Sequence, residues 1–159
     1  MKILFTLLTL AFSLSGMAAD KKAPANTFTQ IEKNLSKKTS LKSKKYVILY
    51  FGNKHCPHCK QFKPQIVQFH KKWQKHSDKF TLIYVSESDG SADIRSVGSK
   101  LPFPYLKVSK KKISSLRKIN ENTGTPLIYI IDEDLILRGK GIAGRMLPQV
   151  DRVFTKEFK

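Results

Sequence analysis

Two cysteines stand three residues apart, in the segment Cys56-Pro57-His58-Cys59, and the 159-residue sequence has no others. A thiol attacks a disulfide only as its thiolate, and a second thiol at this spacing can displace the captured partner, so the pair suits thiol–disulfide exchange. Cys59, Phe62, Ile66, Phe69 and Trp73 recur at steps of three or four, which predicts an amphipathic helix opening at Pro57. Cys56 then faces unpaired N–H groups and the positive end of the helix dipole, and is the expected nucleophile. Cys59 lies one turn deeper on the apolar stripe, where burial keeps a thiol protonated, and is the expected resolving residue. Making a thiol of pKa ~8.5 mostly ionised at neutral pH takes about 2.7 kcal/mol, whereas a helix terminus supplies ~0.3–2 kcal/mol. His58 is expected to close that gap, with Lys54 and Lys60 adding positive charge. A stabilised thiolate stabilises the dithiol and makes the disulfide a stronger oxidant, so this tetrapeptide leans oxidising.

The same residues allow two other readings. His55, Cys56, His58 and Cys59 offer four soft-metal donors, as a copper-binding protein could use, although four ligands within five residues at a helix start converge poorly on one ion. A basic, redox-inactive interaction module is the other. A purely structural disulfide across two residues closes too small a loop to constrain the chain much, and c-type haem attachment fails because Lys60 follows the second cysteine. Glu87, Asp89, Asp93 and Glu121 show no spacing for paired acid–base work, and His70 and His76, set among lysines, read as surface groups. No cofactor is implied.

The elements that position the pair follow from apolar patterning. Tyr46 to Phe51 is a continuous apolar run, expected as a strand buried on both faces, with Gly52 to His55 turning the chain into the cysteine helix. Pro64 falls inside that helix and is expected to kink it without ending it. Phe80 to Val85 is a second buried strand; Ile94, Val97 and Leu101 mark a helix; Tyr105 to Val108 reads as a brief edge strand; Ile113, Leu116 and Ile119 mark another helix. Leu127 to Ile131 and Leu135 to Arg138 form a hairpin about Asp132 to Asp134, and Leu147, Val150, Phe154 and Phe158 stripe a closing helix started by Pro148. Ahead of the first strand, Asp20 to Asn26 reads as a polar linker, and Thr29 with Glu32 as the capping box of a short leading helix striped by Phe28, Ile31 and Leu35. The order implies an α/β domain whose mixed sheet is covered on both faces, its early strands parallel.

Residues 1–19 have the layout of a secretory signal peptide: Lys2, an apolar run from Ile3 to Leu14, then small residues to Ala19. An uncleaved anchor is the weaker alternative because the run is short for a bilayer. The expected organisation is a signal peptide over 1–19, a linker and leading helix over 20–43, and one catalytic domain over 44–159, exported to a periplasmic or extracellular, disulfide-permissive compartment. Formal charge is +18, spread through pairs such as Lys37-Lys38 and the run Lys110-Lys111-Lys112. Such a surface fits acidic protein partners or anionic membrane, while an exported chain without a recognisable binding motif is not expected to bind nucleic acid.

The stretch KYVILYFGNKHCPHCKQFKPQIVQFHKKW, 45–73, resembles the active-site strand and helix of the thioredoxin superfamily, with a DsbA-type CPHC centre. Tyr50-Phe51 before the turn, Phe62-x-Pro64 after the second cysteine, Val85-Ser86 and Leu101-Pro102-Phe103 make it most similar to the tryparedoxin and nucleoredoxin branch. The resemblance implies a thioredoxin-like three-layer sandwich with a central mixed β-sheet and helices on both faces. It also implies a redox-active Cys56–Cys59 disulfide, protein thiols and disulfides as substrates, and a redox partner that recycles the pair. It further implies that Thr125-Pro126 carries a cis peptide bond beside the cysteines, with Thr125 contacting substrate. Two positions depart from common thioredoxin patterns. His55 replaces the usual tryptophan, and Tyr50 stands where thioredoxins carry a buried acid, although tyrosine there is the tryparedoxin-like choice. Pro57, His58 and Tyr50 are the expected modulators of the site.

Overall fold

A computed structural model describes residues 21–121 and 124–158; the expected signal peptide lies outside the described residues. Four strands form one mixed sheet in the order β2-β1-β3-β4: β1 Tyr46–Gly52, β2 Phe80–Ser86, β3 Leu127–Asp132 and β4 Leu137–Ile142. β1 runs parallel to β2 and antiparallel to β3, and β3 and β4 make an antiparallel hairpin. The parallel pair is joined by the long helix α2, Pro57–Trp73, as a crossover requires. The remaining helices are α1 Thr27–Asn34, α3 Ser91–Gly98, α4 Ser114–Ile119 and α5 Ala143–Glu157.

Side chains alternate along each strand, so a continuous apolar run serves two cores. On one face Ile48, Tyr50, Leu82, Tyr84, Ile128 and Ile130 pack with Phe62, Ile66, Phe69 and Trp73 of α2 and with Leu147, Val150 and Phe154 of α5. Phe154 is the hub of that layer, its ring centroid 4.9 Å from Phe80 and 5.6 Å from both Phe69 and Trp73. On the other face Val47, Leu49, Phe51, Ile83, Val85, Tyr129 and Ile131 meet Phe28 and Ile31 of α1 and Leu116 and Ile119 of α4. The expected three-layer sandwich is the observed fold. α2 continues through Pro64, and its buried residues are the five of the predicted stripe.

Five local expectations are corrected. α1 starts at Thr27, and no side chain caps it; Glu32 instead accepts a 2.6 Å hydrogen bond from the Leu41 N–H and so holds the following loop. The presumed linker lies along the sheet: Lys22 bridges Ile136, and the Ala23 N–H donates to the Leu135 carbonyl at 2.7 Å. β4 begins at Leu137 because the Asp132 carboxylate accepts from the N–H groups of Asp134 and Ile136 and holds those residues as a turn, with Leu135 at φ 64°. Tyr105 makes a single parallel bridge to Tyr84, not a strand; the flanking Pro102 and Pro104 have no N–H to extend a ladder. α5 starts five residues before Pro148, at Ala143, whose N–H is answered by the Pro126 carbonyl at 3.0 Å.

Candidate active site

Cys56 is the residue that caps α2. Its extended backbone (φ −82°, ψ 112°) turns the side chain over the helix, where Sγ accepts a 3.1 Å hydrogen bond from the Cys59 N–H, and Pro57 occupies the first helical position. The preceding turn is fixed from within, by His55 N–H to Asn53 Oδ1 (2.9 Å) and Cys56 N–H to the Asn53 carbonyl (3.2 Å). Across from it, the Thr125–Pro126 bond is cis, and the Cys56 thiol donates to the Thr125 carbonyl at 3.6 Å. Topology explains the meeting. β1 and β3 are neighbours and antiparallel, so the end of β1, which leads to Cys56, lies beside the start of β3, which Pro126 precedes.

Both cysteines are thiols; Cys56 is half-buried and Cys59 buried. Burial pushes the Cys56 thiol up, but hydrogen bonds from the Cys59 thiol, the Thr125 side chain and the backbone N–H groups of Cys59 and His58 outweigh it, so the net shift is downward. Cys59 moves the other way, to about 11, through burial first and then its hydrogen bond to Cys56. The two sulfurs divide as the helix argument requires. His58 reaches Cys56 through its backbone N–H, while the residue is exposed.

Beneath Cys59 lie Tyr50 and Tyr84, cross-strand partners with ring centroids 5.7 Å apart, and Phe62 packs against Tyr50 with its ring tilted by 53° at 5.6 Å. Burial, then the charge of Cys59, drives the Tyr50 phenol far above its ordinary range, so Tyr50 is a neutral hydroxyl and cannot substitute for a buried carboxylate. Gly52 makes this packing possible: a Cβ there would stand 2.8 Å from the Tyr84 ring.

Three features escaped the sequence reading. Asp93 of α3 grips the turn before the nucleophile, accepting from Lys54 Nζ at 2.8 Å and meeting His55 Nε2 at 3.2 Å; the Lys54 ammonium holds its carboxyl below the usual range. Its 39-residue separation from Lys54 leaves no local signal. Ile142, the large apolar side chain left exposed among the described residues, at 55%, pairs with Leu127 immediately after the cis-proline. His70 and His76 are not plain surface groups: His70 lies against Phe103, with burial lowering its pKa, and His76 contacts Trp73 and Phe158, its Nε2 buried without a partner. The His55 ring is engaged with Asp93, and among the described residues no three His, Cys, Asp or Glu side chains are placed to hold a metal ion.

A dithiol at a helix start, facing a cis-proline across a mixed sheet layered by helices, defines a thioredoxin-fold redox protein. The sequence bears this out: a family model described as Thioredoxin-like matches residues 43–136, and the chain belongs to that family of thiol–disulfide oxidoreductases. It is 26% identical over 84 residues to probable nucleoredoxin 1 of Arabidopsis thaliana, a match covering 53% of this chain and 14% of that much longer protein. Among solved structures, the thioredoxin domain of a thiol-disulfide oxidoreductase from Bacteroides vulgatus superposes with a TM-score of 0.66 at 20% identity, over 87% of this chain and 98% of that one. Tryparedoxin from Trypanosoma brucei gives 0.62 at 23% identity, over 80% and 92%. At these identities the structural likeness speaks for the fold, and the family match and the site carry the rest.

Proposed function

We propose that this protein is an exported enzyme that exchanges disulfides with protein substrates through the Cys56–Cys59 pair. As a reductant, the Cys56 thiolate attacks a substrate disulfide, forming a mixed disulfide and releasing one substrate thiolate; Cys59, giving up its proton, then displaces the second and closes the Cys56–Cys59 bond. As an oxidant it runs the same steps in reverse, and an external redox partner restores the starting state in either case. The observation that carries this reading is the Cys56 sulfur, capping α2 at 3.1 Å from the Cys59 N–H with the Thr125 carbonyl beside it. Thr125 and Pro126 are the proposed substrate-binding residues. Ile142 offers an apolar contact next to them, and the surrounding lysines offer salt-sensitive attraction to acidic partners or anionic membrane. Stabilising the Cys56 thiolate stabilises the dithiol, which favours the oxidising direction.

Insulin reduction and hirudin oxidation, run on the parent, Cys56→Ser and Cys59→Ser, test the assignment. Both variants are expected to lose turnover, with Cys59→Ser trapping mixed disulfides; activity equal to the parent in either variant overturns it. Alkylation of the reduced protein across pH tests the division of roles. Only the thiolate reacts, so a lowered pKa keeps Cys56 reactive below the ordinary thiol range, whereas Cys59 is expected to reach half its limiting rate only near pH 11. Export is tested by fractionating a tagged full chain and comparing the mass of the mature protein with cleavage near residue 19.

A further inference from the structure

A cavity of about 230 Å³ opens behind the active-site helix, on the α3 side of Cys59. Its chemistry is divided. Lys60, Lys63 and Lys100 line it, and none of them has an acidic partner among the described residues. Val97 and Leu101 add apolar wall, and the rings of Tyr50 and Tyr84 add aromatic surface next to Cys59. Tyr84 is 1% exposed, and its hydroxyl has no hydrogen-bond partner in the fold. Ser86 Oγ lies close enough to the phenol to work against the rise in its pKa, but its hydrogen bonds are made to Ser88, accepting from the N–H at 3.1 Å and donating to the carbonyl at 3.3 Å. A buried donor without a partner is costly, so it marks a place where an acceptor belongs.

We propose that this cavity is a binding site for a small ring-bearing organic acid, with its carboxylate among the lysines, its ring between Val97, Leu101 and the tyrosines, and an acceptor atom on the Tyr84 hydroxyl. Size allows it, since an apolar cavity of ~150 Å³ already admits benzene. Charge favours an anion, because Lys60, Lys63 and Lys100 border the cavity and no carboxylate lines it; Lys54, the fourth lysine of the lining, is held by Asp93. The apolar wall separates this site from a general lysine atmosphere, which attracts inorganic anions equally well. Burial pushes the Tyr84 phenol up to about 12, so it is a donor throughout the neutral range. The inference does not rest on the redox reading, although the resolving thiol Cys59 forms part of the cavity's lining.

The test is an amide chemical-shift titration of the reduced full-length mature protein with 4-hydroxybenzoate, with benzoate, acetate and inorganic phosphate at matched ionic strength as comparison probes. Saturable shifts centred on residues 84 and 96–101 are expected. 4-Hydroxybenzoate should bind several-fold tighter than benzoate, and benzoate at least tenfold tighter than acetate. Tyr84→Phe should weaken 4-hydroxybenzoate about fivefold and leave benzoate unchanged, while Lys63→Gln with Lys100→Gln should weaken both about tenfold. Phosphate or acetate binding as tightly as benzoate, shifts spread over the whole basic surface, or 4-hydroxybenzoate binding that ignores Tyr84→Phe overturns the proposal. Insulin turnover by the same variants, read in parallel, separates failure of this site from failure of the exchange reaction.

Discussion

Two buried tyrosines, one on each face of the sheet, show how differently its two sides are finished. Tyr84 and Tyr129 are each 1% exposed. On the α1/α4 face the Tyr129 hydroxyl donates to Asn120 Oδ1 at 2.8 Å, Asn120 Nδ2 reaches Glu87 at 3.3 Å, and Glu87 pairs with the buried Lys110 at 2.9 Å. Every link of that chain is answered. On the α2/α5 face the Tyr84 hydroxyl meets no partner, and the residue lines a cavity beside Cys59. The difference follows what each side must do. One side fastens the loops after β2 and α4 to the sheet, while the other leaves space behind a sulfur that must move between partners.

The comparison breaks most sharply at Glu87. Glu87→Gln removes the carboxylate that faces the Lys110 ammonium across a buried contact, and breaking a buried pair in this way costs about 3 kcal/mol. Urea unfolding of the reduced protein should show the midpoint falling by that equivalent at an unchanged slope. A loss below ~1 kcal/mol would mean that the pair is solvated and that this face is not the fastened one. Next in size is Gly52→Ala. The added methyl stands 2.8 Å from the Tyr84 ring and 3.5 Å from Tyr50, so the rings must shift toward the cavity. Overpacking of this kind costs about 1–3 kcal/mol. It should also change the alkylation pH profile of Cys59, which Glu87→Gln should leave alone. Identical Cys59 profiles in both variants would remove the distinction between the faces.

How far the sequence discloses all this depends on the range of the interactions involved. Period-3.6 and continuous apolar patterns are local, so α2 with its five buried residues, the two parallel strands and the site pair Cys56 and Cys59 are legible directly. Pro126 is legible only through resemblance, since a cis bond has no local mark. β4 starts later than its apolar residues suggest because the Asp132 carboxylate, accepting two backbone N–H groups, holds Leu135 in a turn and leaves Ile136 a single bridge to Lys22. Pro148 reads as a start signal for α5, but the helix begins earlier, where the Ala143 N–H donates to the Pro126 carbonyl. Asp93 was invisible for a related reason: its grip on Lys54 and His55 spans 39 and 38 residues. Tyr50 and Tyr84 read as ordinary core, because a cavity belongs to the gap between elements and not to any one of them.

The smallest expected effect discriminates best. Tyr129→Phe removes a donor that Asn120 uses inside a closed network, and leaving a buried amide oxygen short of that bond should cost about 1–2 kcal/mol. Tyr84→Phe removes a hydroxyl that bonds to nothing in the fold, so unfolding free energy should stay within ~0.5 kcal/mol of the parent or rise slightly. The two substitutions are chemically identical, equally buried and on opposite sheet faces, so their difference isolates the partner and not the burial. Equal losses in denaturant unfolding would mean that Tyr84 bonds to ordered water in the cavity as firmly as Tyr129 bonds to Asn120. The space behind Cys59 would then be a fixed part of the scaffold, finished like the opposite face.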